Sequence, residues 1–412
     1  MKAIFVFLLC VFMSVGSVNA TNPTLTSRAR FSLLTCSPGA DLYSLFGHSA
    51  IRLQDNIGGR WFDVVFNYGT FRFDEYFYMK FARGKLDYVL ETSRYDDFIL
   101  EYEYDRRGVW EQEILLTPIE KQKLFELLQE NAREENCTYR YDFFYDNCST
   151  RIRDMIMRCV ANESTMNMGF RFVPLHDLLQ VNRIDFPYEF PQGRTYRQSI
   201  QTYLDYQPWS DLGIDLALGL PCDDVAGPFG LMFLPDSLMR EFEYATVDGQ
   251  LLCAAPRQIL MPTLNTLPSG FGLSPFNICV ALLVLQLVVI GWRKKIGPNG
   301  LDKFMVLIAG LIGVLIVFLW FFTDHTTTLW NWNVLWANPL HLLMLLFANR
   351  FTAFARYYAL AMTGLISLTI VLYPLLPQSF HPATFPLMLM LIIAFVQYYR
   401  KATFTKSKVS ML

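Results

Sequence analysis

Cys148 is the residue whose type and setting promise the most chemistry. It follows Asp146-Asn147 and opens a stretch in which Ile152, Met155, Ile156 and Cys159 recur at helical spacing. Asp146 or Asn147 suits an N-cap, which puts the thiol in the first turn of a helix. There the positive end of the helix dipole favours thiolate over thiol and draws a pKa of about 8.5 toward neutrality. The unpaired backbone N–H groups of that turn can hold an oxyanion when the sulfur attacks a carbonyl. The chemistry on offer is nucleophilic catalysis through a thioester, and it needs a base.

Between the N-terminal leader and residue 271 the chain carries two histidines, His48 and His176. In Gly47-His48-Ser49-Ala50-Ile51-Arg52-Leu53, the residues His48, Ala50 and Arg52 alternate with Ser49, Ile51 and Leu53 as a half-buried strand would. Asn56-Ile57-Gly58-Gly59 marks a turn, and Trp61 to Phe71 reads as the returning strand. A hairpin symmetric about that turn sets His48 opposite a residue near Asn67, with Asp63 the alternative if the register slips. His176, after Val173-Pro174-Leu175, sits at an apparent helix start and reads as a structural or capping residue, so the spacing favours His48. Cys36 is the rival nucleophile, on a Ser-Pro-Gly turn with no clear helix behind it, and ranks below Cys148. The plain alternative is a buried thiol and an unrelated strand histidine.

The elements that must position these residues lie in an ordinary soluble composition running from residue 21 to about 270. The chain has 412 residues, 53% hydrophobic and 17% charged, but beyond Pro275 it becomes a series of apolar runs. The division expected is a signal peptide at 1–20, a soluble domain at 21–271, a membrane domain at 272–402 and a tail at 403–412. Lys2, the apolar stretch Ile4 to Val15 and Val18-Asn19-Ala20 have the layout of a secretory signal. The mature soluble domain keeps Cys36, Cys137, Cys148, Cys159, Cys222 and Cys253, an even count that an oxidising compartment would allow to pair. No metal-ligand spacing appears and no cofactor is called for. A net charge of -2 without a basic stripe argues against nucleic acid as a partner.

Five apolar runs, at about 276–292, 303–323, 334–349, 355–376 and 384–399, predict five membrane-spanning helices, the third and fifth short enough to tilt little or re-enter. Arg293, Lys294, Lys295 and Lys303 flank the first connection, Arg350 and Arg356 the third, and Arg400, Lys401, Lys406 and Lys408 the tail. Residues 324–333 and 377–383 hold no Lys or Arg. The positive-inside rule therefore puts the basic connections in the cytoplasm and the soluble domain outside, as the leader also requires. On the outer side, His325 and the run Trp330 to Pro339 read either as an aromatic belt or as a polar floor for a lipid headgroup built on Asn333, Trp336 and Asn338. His341 lies deeper, as a packed residue or part of that floor.

A glycine-histidine strand followed far downstream by Asn-Cys at a helix start resembles the circularly permuted papain-like enzymes exemplified by lecithin:retinol acyltransferase. More closely, Leu33 to Gly39, Gly47 to Arg52, Tyr141 to Arg151, Trp209 to Asp215, Phe233-Leu234-Pro235 and the helical tail with Asn333, Trp336, Asn338 and Pro339 resemble the Lnb family of Bacteroides-type lipoprotein N-acyltransferases. The resemblance implies an α+β, permuted papain-like soluble domain followed by a five-span α-helical membrane domain in the bacterial inner membrane. It implies that Cys148 takes an acyl chain from a phospholipid, with His48 as base, and passes it to the α-amine of a diacylated lipoprotein. Asn67 as third catalytic group comes from the hairpin and not from the family. Arg52 and Arg151 are candidate phosphate contacts, weighed against structural roles. The competing functions are a membrane-anchored cysteine hydrolase on the same pair and a non-catalytic envelope scaffold or sensor.

Overall fold

The computed structural model describes residues 23–71, 75–160, 184–185, 193–263, 273–293 and 296–409. The expected signal peptide and His176 lie outside the described residues. Among the described residues there are ten strands: β1 (Arg30–Cys36), β2 (His48–Ile57), β3 (Arg60–Thr70), β4 (Asp87–Arg94), β5 (Val109–Ile114), β6 (Thr138–Arg140), β7 (Ile184–Asp185), β8 (Thr246–Val247), β9 (Gln250–Leu251) and β10 (Arg257–Leu260). Seven of them form one antiparallel sheet in the order β10-β5-β1-β2-β3-β4-β6, and β7-β8-β9 make a small second one. Around them lie α1 (Phe77–Ala82), α2 (Tyr95–Tyr104), α3 (Pro118–Asn131), α4 (Cys148–Val160), α5 (Tyr196–Leu204), α6 (Pro208–Ala217), α7 (Pro228–Leu231) and α8 (Pro235–Tyr244). The N-terminal half is thus α+β.

The β2–β3 hairpin turns on Gly58 and Gly59, with φ of 59° and 81°, between the paired Ile57 and Arg60. Two successive positive φ values suit a tight two-residue turn that follows the twist of the strands, and only glycine adopts both without strain. The ladder then runs to Ile51 opposite Phe66. Because side chains alternate, one face of the sheet presents Ile51, Leu53, Phe66 and Tyr68 to Ile152, Met155 and Ile156 of α4 and to Leu124 and Leu128 of α3. The other face sets Leu34, Cys36, Ala50 and Val65 against Phe98 and Tyr102 of α2. Each fully buried aliphatic side chain stabilises by about 1.5–3 kcal/mol. The apolar stripe of α4, read from the sequence at i, i+3 and i+4, is what seats this helix on the sheet.

The C-terminal half holds α9 (Pro275–Trp292), α10 (Gly300–Phe321), α11 (Leu340–Phe347), α12 (Thr352–Leu372) and α13 (Thr384–Val409). Four of these are long and apolar enough to cross a bilayer; α11 is not. Its 8 residues rise about 12 Å, against a hydrocarbon core of about 30 Å. The third apolar run, already short in sequence, is broken here, and the cause is local. The Asn331 side chain accepts from the Asn333 N–H and Asn338 Oδ1 from the Leu340 N–H, while Pro339 supplies no N–H. Side-chain acceptors that capture backbone donors compete with helix formation. The run instead forms a 3-10 turn at Trp332–Leu335 and then α11.

The connections without Lys or Arg are the ones that meet the sheet domain. Gly219 and Leu220 donate to the carbonyls of Thr327 and Leu329 at 2.8 and 3.1 Å. Asn331 Nδ2 donates to the Leu216 carbonyl at 2.8 Å, and the Ser379 N–H to Asp223 Oδ1 at 3.0 Å. Three residues before Thr327, the Asp324 N–H donates to the Arg83 carbonyl at 2.9 Å.

Candidate active site

Asn147 caps α4. Its Oδ1 accepts from the Thr150 N–H at 2.9 Å, and Thr150 Oγ1 accepts from the Asn147 N–H at 2.8 Å. Its Nδ2 donates to the carbonyls of Phe143 and Phe233, both at 2.9 Å, so the cap is itself clamped between two segments. Cys148 therefore occupies the first helical position, where its own N–H has no partner within the helix.

His48 begins β2, and its Nε2 lies 2.6 Å from Asn67 Oδ1 on β3. With that carbonyl as acceptor, Nε2 carries a proton and Nδ1 is the nitrogen left for the thiol. Asn67 is not directly opposite His48. The ladder sum puts it one step past the Ile51–Phe66 pair, so it reaches the imidazole on the diagonal. Asp63, the alternative third group, is spent elsewhere: its carboxylate accepts from Arg52 Nε and Nη2, both at 2.7 Å.

Burial works against the thiolate of Cys148. The charge and hydrogen bond of His48, with hydrogen bonds from the Ser49 N–H and the Ser149 side chain, outweigh it and lower the thiol pKa. Burial likewise opposes the charged imidazole, but the Cys148 charge and hydrogen bond and the Asn67 contact raise the pKa of His48. The two shifts favour a thiolate–imidazolium pair. Cys36 behaves oppositely. It pairs with His48 across the β1–β2 ladder but lies fully buried on the α2 face, where desolvation pushes its thiol up to about 12. Cys36, Cys137, Cys148, Cys159, Cys222 and Cys253 are all free thiols.

Gly69 borders the same point. A Cβ on this residue, whose φ is +92°, would lie 3.7 Å from Cys148 Cβ, 3.7 Å from His48 Cε1 and 3.9 Å from Tyr139 Oη. Nothing in the sequence pointed to Tyr139, which the pairing of β4 with β6 brings in. Among the described residues no group of His, Cys, Asp and Glu side chains is placed to hold a metal ion.

The remaining expected site residues are engaged internally. Arg52 is buried, bonded to Asp63 and to Glu111 at 2.9 Å, with its guanidinium 3.2 Å from the centre of the Tyr95 ring. Arg151 makes a two-point ion pair with Asp146 at 2.6 and 2.7 Å and covers the Tyr139 ring. Both guanidiniums are engaged by carboxylates, the arrangement expected of the structural role weighed against phosphate contact. Asn333 and Trp336 are buried, joined by a 2.9 Å hydrogen bond from the indole, and Asn333 also bonds Asn331. Asn338 caps α11. The amides of this run thus hold the broken helix together. His341 belongs to the same brace, between Tyr358 Oη and the Trp336 carbonyl.

A family model described as the Lnb N-terminal periplasmic domain matches residues 18–183, and one described as the Lnb transmembrane domain matches residues 267–406. No curated protein and no solved structure matches the chain. The first match takes in Cys148, His48, Asn67 and the strands and helix that carry them, the second takes in the helices beneath, and the chain belongs to the Lnb family.

Proposed function

We propose that the chain is a lipoprotein N-acyltransferase of the bacterial inner membrane, moving a fatty acyl chain from a phospholipid through Cys148 to the α-amine of a diacylated N-terminal cysteine. The observation that carries this reading is a thiol at the first position of a helix, beside a histidine that an amide holds in place. The order of histidine strand before cysteine helix supports a circularly permuted papain-like fold. Seating on Lys- and Arg-free outer connections supports a periplasmic position for the domain.

In this reading His48 takes the thiol proton and the thiolate attacks the ester carbonyl of the phospholipid. The Cys148 N–H donates a hydrogen bond to the oxyanion that forms. Collapse expels the lysophospholipid alkoxide, which takes the proton from His48. The lipoprotein amine, with a pKa of about 7.7–8.0, then attacks the thioester in its neutral form; the C–S bond breaks, and His48 takes the amine's proton and returns it to the Cys148 sulfur. Both substrates are embedded in a bilayer, which gives the helical half its purpose. We read Trp332 to Asn349 as a further, broken crossing. Its outer end is fixed by the Trp332 N–H on Gln378, and its inner end by Asn349 on Lys401 of α13.

The test is the purified full-length protein in detergent with phospholipid and a synthetic diacylated lipopeptide, both followed by mass spectrometry. The peptide gains one acyl chain with the wild type and with Cys36→Ser, and none with Cys148→Ser or His48→Ala. Release of free fatty acid without peptide acylation would turn the reading to a lipase. Full activity of Cys148→Ser would end it.

A further inference from the structure

Tyr139 is buried, yet its hydroxyl has no hydrogen-bond partner. A buried phenol left unsatisfied costs about 1–3 kcal/mol, so a fold that keeps one needs a reason. The reason lies in where the hydroxyl sits. The position that a Cβ on Gly69 would take is 3.9 Å from Tyr139 Oη and 3.7 Å from both Cys148 Cβ and His48 Cε1. The absent side chain at residue 69 opens a space ringed by the nucleophile, the base and this one unpaired donor.

The ring is held as firmly as the hydroxyl is free. Tyr139 pairs with Tyr88 across β4 and β6, and the Arg151 guanidinium lies 3.8 Å from the centre of its ring. Arg151 is fixed in turn by Asp146, two residues before Cys148. A cation over the ring draws electron density from the phenol and makes its O–H a better donor. Burial holds the phenol well above its ordinary pKa, so it stays protonated across the working range.

We propose that Tyr139 is a catalytic residue whose hydroxyl donates a hydrogen bond to the oxyanion formed on Cys148, and that Gly69 leaves room for the reacting acyl carbonyl. The inference rests on the thioester chemistry proposed above. As sulfur bonds the carbonyl carbon, the C=O electron pair moves onto oxygen, which Tyr139 Oη and the Cys148 N–H then receive. The phenol keeps its proton throughout. When the carbonyl re-forms, the carbon–oxygen bond to the lysophospholipid breaks and His48 protonates the leaving oxygen.

The experiment compares two reactions of Cys148 in full-length protein: single-turnover acylation from dioleoyl phosphatidylethanolamine in detergent micelles, read by intact mass, and alkylation by iodoacetamide. Alkylation needs the thiolate but builds no oxyanion. Loss of one oxyanion donor costs about 10²–10³ in rate. Tyr139→Phe is therefore expected to acylate about 10²-fold more slowly while alkylating at the wild-type rate with the wild-type pH profile. Tyr68→Phe removes another buried, unpartnered hydroxyl and is expected to acylate normally. Wild-type acylation by Tyr139→Phe overturns the inference. So does a parallel loss of alkylation or of thermal stability, since the hydroxyl would then be structural. Wild-type protein that alkylates but never takes an acyl group from phospholipid overturns the acyltransferase reading itself, and this inference with it.

Discussion

Ser49 Oγ and Ser149 Oγ lie 3.0 Å apart with both residues fully buried. They are the residues that follow His48 and Cys148 in the chain. The strand carrying the base and the helix carrying the nucleophile, 100 residues apart in sequence, are thus bonded one position beyond each functional group. Cys148 Sγ lies 3.9 Å from the same Ser149 hydroxyl, so this pair also touches the thiol.

Replacing either serine with alanine leaves its partner buried and unpaired, at about 1–3 kcal/mol, whereas replacing both removes the mismatch and costs less than the sum. Thermal unfolding of Ser49→Ala, Ser149→Ala and the double variant tests this. Strict additivity would show that the two hydroxyls do not bond.

The pH behaviour of Cys148 follows from its neighbours. Burial alone raises a thiol pKa, and the lowering is supplied first by the charge and hydrogen bond of His48. Iodoacetamide alkylation is therefore expected to rise with pH through an inflection below the ordinary thiol value. In His48→Ala burial persists while the compensation goes, so the inflection moves upward. Acyl transfer adds an alkaline limb, because the leaving oxygen needs the His48 proton. That limb lies above the ordinary imidazole value, since His48 is shifted up. An unchanged alkylation inflection in His48→Ala would show that the histidine does not set the state of the thiol.

Much of this arrangement could be read from local chemistry. Asn147 before the apolar stripe of Ile152, Met155 and Ile156 announces a capped helix, and the Gly58-Gly59 pair announces the hairpin. Asn67 followed from folding that hairpin symmetrically, although the ladder brings it to His48 on the diagonal. What could not be read depends on long-range pairing. Tyr139 reaches the site only because the three-residue strand β6 adds to β4. From its sequence Arg52 suits either a phosphate or a structural partner, and only the fold shows that Glu111, 59 residues away, takes one of its nitrogens. The third apolar run, 334–349, is short for a span of about 20 residues, and the asparagines at its outer end take backbone donors that a helix would need.

Arg52 is expected to matter for folding and not for lipid binding. Its side chain and that of Glu111 are both buried, while Asp63 is partly exposed. Breaking a buried ion pair costs about 3–5 kcal/mol. Glu111 keeps Arg257 at 2.9 Å, so Arg52→Ala should fall near the lower end, about 3 kcal/mol. Denaturant unfolding measures the loss. A raised KM for phospholipid at unchanged stability would restore the phosphate-contact role.

The last prediction concerns how the membrane half steadies the nucleophile. Asp142 Oδ1 accepts from the N–H groups of Phe144 and Tyr145 at 3.0 and 3.1 Å, and its backbone exchanges two 3.0 Å hydrogen bonds with Asp146. This closes the loop that delivers Asn147 and Cys148. Its other oxygen, Oδ2, accepts from Thr326 Oγ1 at 2.7 Å, in the turn that follows α10. The Thr326 contact is exposed, so Thr326→Val should cost little stability, within the about 0.5–1.5 kcal/mol of an ordinary hydrogen bond. Asp142→Asn keeps an acceptor for the two loop N–H groups and should behave like Thr326→Val. Asp142→Ala removes the acceptor altogether, frees the loop before the cap, and should slow alkylation of Cys148 as well as acyl transfer. Rates and melting temperatures for the three variants separate these cases. Equal behaviour of Asp142→Ala and Thr326→Val would mean that the loop is held by Asn147 alone, and that the contact with the membrane half only anchors the domain.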